Sequence, residues 1–272
     1  MHEASLYDEN CFVTLTYDDD HLPPGGSLQV EHYQLFMKRL RKRFVSPSSV
    51  GRRSDGSKIR PTDPDFGGVR FFHCGEYGEN FARPHYHACL FNFNFPDRSL
   101  YSGRASTRLY TSDALNDLWG KGFATIGSLT FNSAAYVARY VTKKITGRMA
   151  AKHYEYACPV TGEVSMRKPE YATMSRSPGI GMPWLDLYSS DVFPDDFIVV
   201  NGVKTKVPAA YTKAYLNSLS LKESYEQHLS LDLARGQFAL SRAHDTTPER
   251  LAVRERVTRA RLSTFSSRSY EQ

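Results

Sequence analysis

The sequence predicts an α+β protein: an antiparallel β-sheet flanked by helices, with an α-rich C-terminal extension. Two observations carry this. The elements legible in the first 150 residues run strand, helix, hairpin, helix, strand, helix, an order that packs helices on antiparallel strands. Beyond residue 150 the texture becomes loop-rich and then helical. A chain of 272 residues is long enough for a full core and an appendage, which we place at 1–150 and 151–272.

Cys11-Phe12-Val13-Thr14-Leu15-Thr16-Tyr17 is β-branched and aromatic and ends at Asp18-Asp19-Asp20 and Pro23-Pro24-Gly25-Gly26, so it reads as a strand and its exit loop. Being apolar on both faces, it belongs at the centre of the sheet. Val30, Tyr33, Phe36, Met37, Leu40 and Phe44 recur at three- and four-residue steps, the stripe of a helix over residues 30–44. Residues 46–68 are rich in Ser, Pro, Gly and charge without a period, and read as a long, mobile, basic insertion. Residues 69–77 and 85–95 form an antiparallel hairpin around Gly78, Asn80 and Pro84. A short helix at 112–119 follows, then Gly120, Gly122 and a strand at 123–129. Asn132 or Ser133 caps a helix that runs to about residue 146, where Gly147 stops it. In the extension, Ser175-Arg176-Ser177-Pro178-Gly179-Ile180-Gly181 is loop-like, and residues 195–207 suit a hairpin turning at Asn201-Gly202. Residues 208–233 and 248–262 look helical, the latter dense in Arg250, Arg254, Arg256, Arg259 and Arg261.

The formal charge of +6 conceals a local excess: between residues 30 and 60, nine cations face two carboxylates, a balance of +7. A polyanion would meet that stretch first, and Lys38, Arg39, Arg41, Lys42 and Arg43 are the candidate nucleic-acid contacts. By itself such a stretch is equally a solvated helix face. Cys11, Cys74, Cys89 and Cys158 form no CxxC pair, which argues against a zinc ribbon or disulfide scaffold and for buried thiols. No stretch approaches the roughly 20 apolar residues of a membrane span, so the expected location is cytoplasmic.

The chemistry concentrates in two places. His85 and His87 stand at i and i+2 of a strand and therefore on one face, and the hairpin brings Glu76 beside His85. Two imidazoles and a carboxylate hold a divalent ion with open positions for a phosphoryl oxygen. Mixed nitrogen and oxygen ligation does not choose among magnesium, manganese, zinc and iron, and Glu79 competes with Glu76 for the third place. Downstream, Tyr136 and Tyr140 are neighbours on one helix face, each followed three residues later by a cation, Arg139 and Lys143, with Lys144 beside them. A phenol is only about 0.1% ionised at pH 7, a cost of roughly 4 kcal/mol if the phenolate must form first. Nearby cations and a metal reduce that cost. Metal and paired tyrosines point to phosphodiester transesterification.

Three motifs resemble the HUH endonucleases, and within them the rolling-circle replication initiators of microviruses, gokushovirus-like single-stranded-DNA phages. They are Phe12-Val13-Thr14-Leu15-Thr16-Tyr17 with His21-Leu22-Pro23; Cys74-Gly75-Glu76-Tyr77-Gly78 leading to Arg83-Pro84-His85-Tyr86-His87; and Ala135-Tyr136-Val137-Ala138-Arg139-Tyr140-Val141-Thr142-Lys143-Lys144. Together they span about half the chain in the family's order. The resemblance implies a ferredoxin/RRM-like endonuclease fold in which His85, His87 and Glu76 bind Mg²⁺ or Mn²⁺. It further implies Tyr136 and Tyr140 as nucleophiles, with Lys143 and Arg139 assisting. The implied reaction nicks a single-stranded DNA origin, leaves a 5′-phosphotyrosine adduct and rejoins ends, in the host bacterial cytoplasm. Gokushovirus-like members commonly carry a cysteine-rich stretch ahead of the first motif; this sequence begins just before that motif, and either the gene is shorter or its start lies upstream.

Two other classes remain in view. A cupin-type oxygenase also uses His-x-His and a carboxylate, but takes the carboxylate a few residues downstream, where residues 88–95 have none. A non-catalytic nucleic-acid-binding module would stack bases on Phe71, Phe72, Phe91 and Phe93, although their apolar neighbours favour a core role. No Walker-type glycine loop is present, so strand separation calls for a partner helicase and other host replication proteins.

Overall fold

The computed structural model describes residues 1–78, 82–103, 108–143, 145–157, 162–193 and 195–266; the side chains of 140–143 and 262–266 lie outside the description. The first unit, residues 1–187, begins with β1 (Asn10–Thr16), α1 (Val30–Phe44) and the hairpin β2 (Arg70–Tyr77) and β3 (Pro84–Phe91). There follow β4 (Ser99–Ser102), β5 (Leu109–Thr111), α2 (Asp113–Trp119), β6 (Ala124–Ser128), α3 (Phe131–Lys143) and α4 (Arg148–Tyr154). A small ribbon of β7 (Glu155–Ala157) and β8 (Val164–Met166) precedes β9 (Tyr171–Met174) and α5 (Met182–Tyr188). Among the described residues, seven strands make one antiparallel sheet in the order β4-β5-β6-β1-β3-β2-β9. The α+β expectation is met, and β1 is central between β3 and β6 as its two-sided apolar pattern requires.

Alternation across the pleat separates two layers. Val13, Leu15, Tyr86, Leu90, Ala124 and Ile126 point to one face, where Tyr33, Phe36, Met37 and Leu40 of α1 and Leu115, Leu118 and Trp119 of α2 cover them. Burial contributes about 1.5–3 kcal/mol for each of Phe36, Met37 and Leu40. Cys74, Cys89 and Phe91 point to the other face, against Val137 of α3 and Ala4 of the N-terminal segment. Cys11, Cys74 and Cys89 are buried free thiols, and burial drives Cys89 up to about 12; Cys158 lies outside the described residues.

Several sequence expectations are corrected. Segment 46–68 is not structureless: Arg53 clasps Asp63 and Asp65, Ile59 is buried, and the Asn92 amide donates to the Phe66 carbonyl. The cap of α3 is Thr130 rather than Asn132 or Ser133. Its hydroxyl accepts from the Ser133 N–H while the Ser133 hydroxyl accepts from the Thr130 N–H, a reciprocal box that satisfies two orphan donors. The first compact unit extends to Leu187 rather than residue 150, because β9, a four-residue strand too short to show a period, pairs along β2.

The second unit, residues 188–272, contains β10 (Phe197–Val200), β11 (Val203–Lys206), α6 (Ala209–Ser218), α7 (Leu221–Ser241) and α8 (Pro248–Ser266). Its hairpin turns at Asn201 and Gly202, both at positive φ, as a tight two-residue turn demands. The single helix expected over 208–233 is two, since Ser220 and Glu223 form a capping box that starts α7 afresh. Arg235 grips Asp196 through two parallel bonds, and Phe193 stacks on Tyr215. No described helix is long and apolar enough to cross a membrane.

Candidate active site

The register of the hairpin builds the site. Glu76 pairs with His85 across β2 and β3, and His87 lies two residues on, so all three side chains leave the sheet on the α3 face. Their ligand atoms lie within 4.8 Å of one another. One carboxylate oxygen, Glu76 Oε1, is 3.0 Å from His85 Nε2 and 2.8 Å from His87 Nε2. Two atoms at right angles around an ion, each about 2.1 Å from it, lie roughly 3 Å apart, so this donor set fits the octahedral preference of Mg²⁺ or Mn²⁺.

Both rings are held from behind. His85 Nδ1 donates to the Arg83 carbonyl at 3.0 Å. His87 Nδ1 lies 3.0 Å from the hydroxyl of Thr14 on the neighbouring strand. With Nδ1 carrying the hydrogen on each ring, Nε2 keeps its lone pair for a ligand. Burial would raise the Glu76 carboxyl, but hydrogen bonds from both histidines outweigh it and hold the group at about 2. Burial lowers His87, against an opposing pull from Glu76. An ionised carboxylate and a neutral imidazole are the forms that bind metal.

Helix α3 brings the phenol. Val137 is seated against Cys74 and Cys89, and this seat turns Tyr136 toward the triad. The Tyr136 hydroxyl donates to Glu76 Oε1 at 3.0 Å, the same oxygen that meets both imidazoles. Its ring stands edge-on to His87, centroids 5.0 Å apart, with the Arg139 guanidinium carbon 5.7 Å from the ring centroid. Tyr140 and Lys143 belong to α3, but their side chains lie outside the described residues, as do Lys144 and Glu79.

The basic side chains of α1 are not brought to this centre. Since α1 covers the opposite face of the sheet, Lys38, Arg39, Arg41, Lys42 and Arg43 belong to the far layer. Arg39 donates to the Leu118 carbonyl, Arg41 to that of Val69, and Arg43 pairs with Asp117. The other proposed stacking aromatics are also spoken for: Phe91 is buried, and Phe71, Phe72 and Phe93 pack against the two cores. Sequence reasoning overlooked Thr14 and the Arg83 carbonyl. The signal for Thr14 was its alternation within β1, which places it on the histidine face.

Residues 10–145 match the family model of the replication-associated protein ORF2. The chain belongs to that family. Among curated members, the replication-associated protein VP4 of Bdellovibrio phage phiMH2K is 33% identical over 79% of this chain and 60% of its own length. The replication-associated protein ORF2 of Spiroplasma virus 4 is 32% identical over 75% of this chain and 57% of its own. The ORF4 protein of Chlamydia phage 1 is 28% identical over 82% and 49% respectively. The chain thus spans about half to three fifths of the length of these relatives in the ORF2 family. No solved structure matches it.

Proposed function

We propose that this chain of the ORF2 replication-associated family initiates rolling-circle replication by nicking single-stranded origin DNA through a tyrosine and later rejoining the ends. The observation that carries this reading is the hydrogen bond from Tyr136 to the Glu76 oxygen that also meets His85 and His87. A nucleophile stands at the edge of a ligand set suited to a divalent ion. The triad would hold Mg²⁺ or Mn²⁺, which supplies Lewis-acid polarisation of the scissile phosphate when bound.

The Tyr136 oxygen attacks phosphorus, its bond to phosphorus forms as the P–O3′ bond breaks, and the phenolic proton is lost while the leaving 3′-oxygen gains one. The product is a free 3′-hydroxyl and a 5′-phosphotyrosine, and the reverse attack reseals the strand without ATP. Arg139 beside the Tyr136 ring favours the phenolate. Tyr140, one turn along α3, is the proposed second nucleophile, with Lys143 assisting. Lys38, Arg39, Arg41, Lys42, Arg43 and Lys144 are the proposed backbone contacts, those on α1 requiring a strand that reaches round to the far layer. Host helicase and replication proteins are the expected partners, inside the infected bacterium.

Incubation with single-stranded DNA carrying the phage origin and Mn²⁺, followed by a denaturing gel, tests the reading. A covalent protease-sensitive adduct should form, mass spectrometry should place it on Tyr136 or Tyr140, and Tyr136→Phe with Tyr140→Phe should abolish it. Undiminished adduct in that double variant would refute tyrosine attack.

A further inference from the structure

Two exposed aromatic rings share the sheet face of the triad. Glu76 pairs with His85, His85 with Thr16, and the Thr16 N–H donates to the Phe123 carbonyl, so these four residues form one row across the sheet. Ala124 and Ile126 enter the α1 core; by alternation Phe123 emerges on the side of His85. Two strand spacings separate them, roughly 10 Å. Tyr101 arrives by a bulge: Leu100 pairs with Tyr110 and Ser102 with Leu109, leaving Tyr101 as the extra residue of β4. A bulge of this kind re-aims a side chain, and here the two rings come 5.4 Å apart, tilted by 59°.

The pair lies beyond the cover of α3, which packs on β2, β9 and β3. Phe123 is 48% exposed and Tyr101 57%. Between the rings and the imidazoles lie Thr14, Thr16 and Thr125, the last paired with Thr14. The acidic loop after β1 is partly neutralised, Asp18 by His21 and Asp19 by Arg83.

We propose that Tyr101 and Phe123 form a stacking subsite for a base of single-stranded nucleic acid, and this rests on the reading of the triad and Tyr136 as the cutting site. Every base offers a π-face to an aromatic platform. A base held there sits within about three nucleotides of the scissile phosphate at a rise of ~3.4 Å. Continuity with the triad on one face, through a row of hydroxyl-bearing side chains, favours a nucleic-acid occupant over a protein.

The test measures fluorescence anisotropy of the full chain with labelled dT20 and with a 20-mer of abasic residues, which keeps the phosphates and removes the bases. Tyr101→Ala with Phe123→Ala should weaken dT20 binding about 5- to 150-fold and leave abasic binding unchanged, while Tyr101→Phe with Phe123→Trp should retain dT20 affinity. Equal dT20 binding by the alanine variant and the native chain overturns the proposal, as does an equal loss on the abasic strand. So does conversion of a native dimer to a monomer with DNA binding intact, which would mark a protein interface. An adduct that still forms while the alanine variant binds normally removes only the subsite; base-dependent binding without any adduct removes only the nicking reaction.

Discussion

At His87 a threonine hydroxyl decides how an imidazole can act. Thr14 meets Nδ1 while Nε2 faces Glu76, so the hydroxyl fixes both the ring angle and the nitrogen left for a ligand. Partners behind a metal-binding histidine typically alter metal affinity by 10- to 100-fold. Thr14→Val should therefore weaken Mn²⁺ binding by about that factor in calorimetry, and Thr14→Ser should restore most of it. Equal affinity in Thr14→Val and the native chain would show that the ring is held by packing alone, for instance by Phe12, which stacks on it at 5.5 Å. The His-x-His pair was legible from strand periodicity. Thr14 was not, because its role depends on β1 lying beside β3 in one register, 73 residues away in the chain.

Among elements, α3 depends on a distant brace. Glu3, fully buried, accepts from Arg70 of β2 and from the Gly181 N–H, and Arg70 donates to the Pro178 and Gly179 carbonyls. This knots the N-terminal segment and the turn before α5 onto the sheet, and Ile180 then packs in the same cluster as Val137 and Tyr136. The loop at 175–181, to which the sequence assigned no role, is part of the seat of the helix carrying the nucleophile. Removing one partner of a buried pair strands the other charge, at a cost of about 3–5 kcal/mol. Glu3→Ala or Arg70→Ala should lower the urea midpoint accordingly, and Glu3→Leu with Arg70→Met should be less damaging than either single change. A double variant worse than both would contradict this account. No local pattern announces such a pair, since its members are 67 residues apart.

For the whole molecule, two buried groups set the response to acid. Burial drives His73, bonded to Thr173 behind β2, down to about 3 from an ordinary 6.5. Between those values only the unfolded chain takes up that proton, so stability is full above pH 6.5 and falls as pH drops toward 3. Glu76, held at about 2 against an ordinary 4.5, adds a loss that begins near pH 4.5 and continues toward 2. Urea midpoints at pH 7.5 and 5 should show the decline, and His73→Phe should make it shallower. An identical fall in native chain and variant would exclude His73 as its source.

The sequence by itself determined the α+β class, the span of α1, the Glu76–His85 hairpin, and the third motif on a helix. Each of these depends on periodicity or turn chemistry within a short window, where side-chain direction follows from local backbone geometry. Tertiary structure alone decided that α3 lies over the histidine face and α1 over the other, which joins Tyr136 to Glu76 and sends the basic helix to the far layer. It also recruited β9, Thr14, Glu3 and the Tyr101–Phe123 pair. Their meaning comes from strand order and register, which long-range pairing and burial select and no single stretch of chain encodes.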